Sequence, residues 1–188
     1  LTYLANSIEA GGKAIPYSTV SALSGAPELT LLDGSPAPAL TGDEIYLNDW
    51  SAKDLGAKPG DALEMSYYVV GAGGALATER HTFRLRCVVR LAGLAADRGL
   101  APIYQGMSDS DRMGDWDPPF PVNFSLIRPV DEQYWAEYRT APKAFVAFDT
   151  AKQLWTSRFG QLTSVRVSPA KAAYAETLRR RLNPAELG

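Results

Sequence analysis

At 188 residues, with 46% hydrophobic and 21% charged residues, the chain has the length and composition to bury a real core. A formal net charge of −2 excludes a broad basic surface for nucleic acid, and no apolar run approaches the roughly 20 residues that span a bilayer. One cysteine excludes an internal disulfide, and one histidine with one cysteine excludes a four-ligand zinc site built from nitrogen and sulfur alone.

The chain starts at Leu1 rather than at a methionine and shows no charged-then-apolar leader, so a piece of a longer polypeptide is expected. Thr2 to Ile8 and Ile15 to Leu23 flank Gly11-Gly12, whose freedom at positive φ suits a two-residue turn, and a β-hairpin is expected. Leu4 and Ile8, four apart, keep a helix open for residues 2 to 9. Residues 24–43, rich in Gly, Pro, Ser and Asp, read as a loop.

Ile45 to Leu47 reads as a strand, followed by a helix capped by Asn48 or Asp49 and stopped by a left-handed Gly56. Pro59-Gly60 turns into a strand from Ala62 to Val70. Gly71 to Gly74 is a hairpin connection, and Thr82 to Val89 returns with Phe83, Leu85 and Cys87 alternating with Arg84, Arg86 and Val88.

Residues 91–129 carry five prolines and read as an irregular insertion. Asp131 is placed as the cap of a short helix on which Tyr134 and Tyr138 share a face. Ala144 to Phe148 reads as a strand. Thr150 to Phe159 reads as a helix with an Ala151, Leu154, Trp155, Phe159 stripe, ended by Gly160. Leu162 to Val167 is a further strand. Ser168-Pro169 starts a last helix lined by Tyr174, Leu178 and Leu182 and stopped by Asn183-Pro184. Its Arg179-Arg180-Arg181 run reads as a solvated face. The fold class expected is α+β, short antiparallel strands and hairpins with several short flanking helices, in a single domain spanning 1–188.

Chemistry-bearing residues are sparse. Asp109, Asp111, Asp115 and Asp117 crowd one loop, and alternating carboxylates before Gly114 are how an EF-hand-like loop wraps Ca²⁺. Met113 and Phe120 occupy positions where oxygen ligands belong, so a solvated acidic loop competes with a Ca²⁺ site. His81 lies in a Thr-Glu-Arg-His-Thr context with no nucleophile motif and reads as an exposed strand-end residue. Cys87, in an apolar run, reads as a small core residue. Asp115, Asp131 and Glu132 are nominal carboxylates for a hydrolase, a pattern any acidic chain offers. No phosphate-loop motif follows the glycines at 71, 73 and 74.

Aromatic residues concentrate at Trp116, Phe120, Phe124, Tyr134, Trp135 and Tyr138. They either close a core under the Pro-rich segment or form an apolar patch for a partner. As a partner-binding surface the candidates are Trp116, Phe120, Tyr134, Trp135 and Tyr138. No residue is assigned to catalysis, cofactor or metal binding beyond the four aspartates, and no enzyme activity is expected.

Ala52-Lys-Asp-Leu-Gly-Ala-Lys-Pro-Gly-Asp61, the strand and helix of Ala144 to Gly160, and the short runs Leu1 to Asn6, Ile15 to Ser18, Asp115 to Pro121, Tyr134-Trp135 and Pro142 to Phe145 occur in an order that resembles FtsX/MacB-type ABC transporter permeases. That resemblance implies a MacB-like extracytoplasmic domain between two membrane helices of an inner-membrane protein, lying in the periplasm or outside. It implies as partners a cytoplasmic ABC ATPase subunit, a second permease copy, and a cargo or periplasmic protein. The domain then transmits motion, with any ATPase work done elsewhere because no Walker A loop is present, and no cofactor is expected. The alternatives are a carboxylate-based hydrolase and a free-standing Ca²⁺- or glycan-binding module.

Overall fold

The computed structural model describes residues 1–25, 28–157, 160–165 and 172–181. Six strands close into a barrel in the order β1-β2-β6-β3-β5-β4, with β4 returning to β1. They are β1 (Thr2–Ala10), β2 (Lys13–Ser21), β3 (Glu44–Asn48), β4 (Ala62–Val70), β5 (Leu76–Val89) and β6 (Ala144–Val146). Among the described residues four α-helices accompany them: α1 (Asp49–Leu55), α2 (Pro129–Tyr138), α3 (Phe148–Trp155) and α4 (Ala172–Arg181).

This overturns the expected set of short antiparallel hairpins. β2 pairs with β6 and β3 pairs with β5 in parallel, so the sheet is mixed and has no open edge. The three-residue β6 is the closing piece, parallel to β2 on one side and antiparallel to β3 on the other. Parallel partners need long crossovers, which local turn signals do not announce.

The β1–β2 hairpin forms around Gly11 and Gly12, with φ of +56° and +81°. Asn6 and Tyr17 stand opposite each other without pairing, β1 shifts register against β4 between Ala5 and Ser7, and Tyr17 adopts φ +42°. This irregularity reverses the alternation of both strands. Ala5 and Ile8 on β1, and Ile15 and Val20 on β2, therefore all face the barrel interior although their spacings are odd. Tyr17, which strict alternation would send inward, is thrown to the outer face.

A second slip, between Ile45 and Tyr46 on β3, does the same to β5. Phe83 and Leu85 point inward, and Val88 rather than Cys87 continues that face. Cys87 and Val89 pack outward with Tyr46 and Phe145. The returning strand starts at Leu76 rather than Thr82, because β4 pairs with it along its whole length from Ala62↔Arg84 to Val70↔Leu76.

α1 is built as its ends predict. Asn48 Oδ1 accepts from Ser51 N at 2.8 Å, and Gly56 stops the helix at φ +71°. Two other helix boundaries differ. Arg128, not Asp131, precedes α2, with Pro129 in its first position; Asp131 sits inside the first turn and accepts from Arg128 N at 2.9 Å. α3 begins at Phe148 and ends at Thr156, whose N–H still reaches Lys152 O, so Gly160 lies in a turn beyond it. Residues 162–165 are exposed and irregular, not a strand. Phe159, Ser168-Pro169, the side chains of Leu178 and Leu182, and Asn183-Pro184 lie outside the described residues, while Tyr174 on α4 is exposed.

Three apolar clusters organise the packing. One fills the barrel interior and includes Ile8, Ile45, Leu63, Met65, Phe83 and Trp155. Residues 28–40 and the 3-10 turns at Gly93–Ala96 and Arg98–Leu100 cover an outer patch at Tyr46, Val89 and Phe145. Residues 104–127 with α2 cover the outer patch at Leu4 and Tyr17.

Candidate functional site

The segment singled out for its aromatics is brought against the barrel rather than displayed. Trp116, Tyr134 and Trp135 are buried, so they are not available to a partner. Phe120 and Tyr138 are half-buried. Phe120 leans on Tyr68 with ring centroids 6.3 Å apart, and Tyr138 lies against Tyr134 at 5.1 Å. Phe124 is exposed. The pairs Trp116–Trp135 and Tyr17–Trp116 meet edge to face at 4.8 and 6.2 Å, with Met107 and Met113 filling the gaps. The partner surface expected at Trp116, Tyr134 and Trp135 is thus a core, because aromatic area gains more from burial than from water.

The acidic loop is turned the opposite way from a cation site. Met113 points into the core, and the N–H groups of Met113 and Gly114 both donate to the Glu132 carboxylate at 2.9 Å. The loop therefore wraps a carboxylate. Asp109, Asp111, Asp115 and Asp117 are exposed, and Asp111 pairs with Arg139 at 2.8 Å. Among the described residues, no three His, Cys, Asp or Glu side chains converge as a metal site.

Asp131 and Glu132, the nominal hydrolase carboxylates, are both engaged in structure. Asp131 is fully buried and takes a two-point contact from Arg128 at 2.8 Å, while Arg128 also reaches Asp54 on α1 at 2.7 Å. Those carboxylates hold the Arg128 guanidinium's pKa well above its ordinary value.

Lys143 completes the charge cluster, and its position was not legible in the sequence. Its amine is buried between the Trp50 and Tyr134 rings, 5.0 Å from each centroid and 4.0 Å from Asp131 Oδ1. Burial pushes its pKa down to about 8, against the opposing pull of Asp131. Tyr134 is held in turn by Asn48 Nδ2, which donates to its hydroxyl, and donates to Ala141 O, both at 3.1 Å. Burial raises the Tyr134 pKa.

His81 is not at a strand end. It sits within β5, its Nε2 2.8 Å from Asp43 Oδ1 and its ring against Phe83. This pair has no hydroxyl or thiol nucleophile bonded to it among the described residues. An internal cavity of about 10 Å³ lies between Tyr17, Tyr104, Trp116 and Lys143, room for one water and no substrate. An open depression of about 390 Å³ beside the β1–β2 turn is lined by Glu9, Lys13, Glu64 and Thr82. Neither gathers the nucleophile, base and oxyanion donors of a hydrolytic site.

At the start of β1, Thr2 N donates to Thr163 Oγ1 at 2.9 Å. The strand that starts the barrel and the segment that leaves it lie side by side. Among the described residues no helix is long and apolar enough to cross a membrane. No protein-family model matches the chain, and no curated protein matches it.

Proposed function

We propose that this chain is a non-catalytic extracytoplasmic domain of an ABC-type permease of the FtsX/MacB kind, carrying motion from a cytoplasmic ATPase to a cargo or a periplasmic partner. The reading keeps the machine implied by the sequence motifs and drops the fold they implied. The observation that carries it is the adjacency of Thr2 and Thr163. A domain inserted between two neighbouring membrane helices needs its incoming and outgoing chain at one place, and the contact of Thr2 with Thr163 supports that reading. A closed sheet without edges also moves as one rigid body, which suits a part that is pushed.

The test is recovery of the parent polypeptide from cells. It is expected in detergent-solubilised inner membranes, as a dimer, co-purifying with an ATPase subunit whose hydrolysis changes when residues 1–165 are deleted. Recovery from the aqueous fraction with no ATPase attached would overturn the reading.

A further inference from the structure

Only two non-glycine residues among those described have positive φ, Tyr17 at +42° and Arg139 at +53°. Left-handed backbone is strained for both, since neither has the short polar side chain that eases it. They are 122 positions apart in sequence, yet both line the same small cavity and both grip residues 104–127. The Tyr17 hydroxyl accepts from Asn123 N at 2.6 Å. Arg139 donates to Ser110 O at 2.6 Å and to Asp111 at 2.8 Å.

The gripped segment is folded on itself. Among the described residues, its backbone-to-backbone hydrogen bonds stay within 104–127, from Met107 N→Tyr104 O to Asp117 N→Gly106 O and Ile127 N→Phe124 O. It contributes no strand to the barrel. It is joined to the body by side-chain hooks along two margins. On one side are Tyr17, and Tyr68, whose hydroxyl reaches Pro121 O; on the other are Glu132, Trp135 and Arg139 of the α2 region. Its own Met107 and Met113, side chains that repack readily, form its underside against Tyr17 and Trp135.

We propose that residues 104–127 form a displaceable cover, hooked by Tyr17 and Arg139 and closed at the expense of left-handed backbone at Arg139, that lifts as a unit while the barrel stays intact. Opening releases both hooks and lets Arg139, which lies outside the strands, return to ordinary φ, while Tyr17 keeps the conformation that β2 imposes, so strain at Arg139 lowers the free energy of opening. The inference stands on backbone geometry and hydrogen bonding and does not depend on the permease reading.

Native-state amide hydrogen exchange on the full 188-residue chain tests it. The Trp116 and Asp117 amides report the cover, and the Arg84 and Lys143 amides, bonded to Asp43 O and Thr19 O, report the barrel. Cover amides are expected to exchange faster, through an opening whose denaturant dependence is clearly smaller than that of global unfolding. Arg139→Gly and Arg139→Ala both lose the hook, but only glycine relieves the strain. Arg139→Gly should therefore exchange at the cover about fivefold more slowly than Arg139→Ala, with barrel amides alike. Should Arg139→Ala not fold, Tyr17→Phe, which removes the bond to Asn123, gives a second reading: cover exchange about fivefold faster, barrel unchanged. Cover and barrel exchanging together, or equal cover rates across the variants, overturns the proposal.

Discussion

Lys143 brings a charge into a site where two rings and one carboxylate at 4.0 Å replace its water. Its pKa of about 8, against 10.5 when solvated, corresponds to a charging cost of about 3 kcal/mol below pH 8. Between pH 8 and 10.5 the unfolded chain holds a proton that the folded chain has released, so this group makes stability rise with pH across that window. Lys143→Met removes the charge and keeps the stem's volume, while Asp131 retains Arg128. The variant is expected to be more stable than the parent by about 1–3 kcal/mol at pH 7. The difference should shrink as pH rises from 8 to 10, and urea unfolding at a series of pH values measures it. A gap that widens over that range would count against this placement of the amine. The sequence showed one more lysine in a Pro-Lys-Ala run; its burial depends on Trp50 and Tyr134, which arrive from other elements.

Among the elements, those with local causes were legible. The Gly11-Gly12 hairpin, the Asn48 cap, the Gly56 stop and the Pro59-Gly60 turn each depend on residues adjacent in the chain. The irregular segment hides a tighter requirement. Gly106 has φ +73°, and a Cβ there would lie 1.9 Å from Asp117 O, on the very backbone that its own carbonyl bonds. Gly106→Ala is expected to destabilise by roughly 2–4 kcal/mol and to expose Trp116, read as a red-shifted tryptophan emission. Gly12→Ala supplies the contrast: φ is +81° but the space is open, so only the backbone term of about 1 kcal/mol is expected. Equal costs at the two sites would mean that the fold tolerates separation of residues 106 and 117. The acidic loop obeys a related rule, and its aspartates are solvated. Alternating aspartates describe a cation site only if their side chains turn inward, and Glu132, 15 positions beyond Asp117, claims the inward N–H groups instead.

For the whole molecule, closure rests on β6, three residues that pair with both β2 and β3. Phe145 points outward from it into the patch shared with Tyr46 and Val89. Phe145→Ala is expected to cost about 3–5 kcal/mol and to lower the barrel's denaturation midpoint with unchanged cooperativity. Loss of cooperativity would show that the barrel is not one folding unit. From the sequence alone came the approximate places of the six barrel strands, the first helix with both its ends and the site of the irregular segment; the strand expected from Leu162 is irregular at 162–165, and β5 starts earlier than expected. What was legible follows from period, capping and turn chemistry, which act over a few residues. Only the tertiary structure decided that the strands close, that two pairs run parallel, that the aromatic cluster faces inward and that Tyr17 faces out. Each of those outcomes is set by contacts between residues far apart in the chain, where loop-closure entropy is offset by burial that no local pattern records.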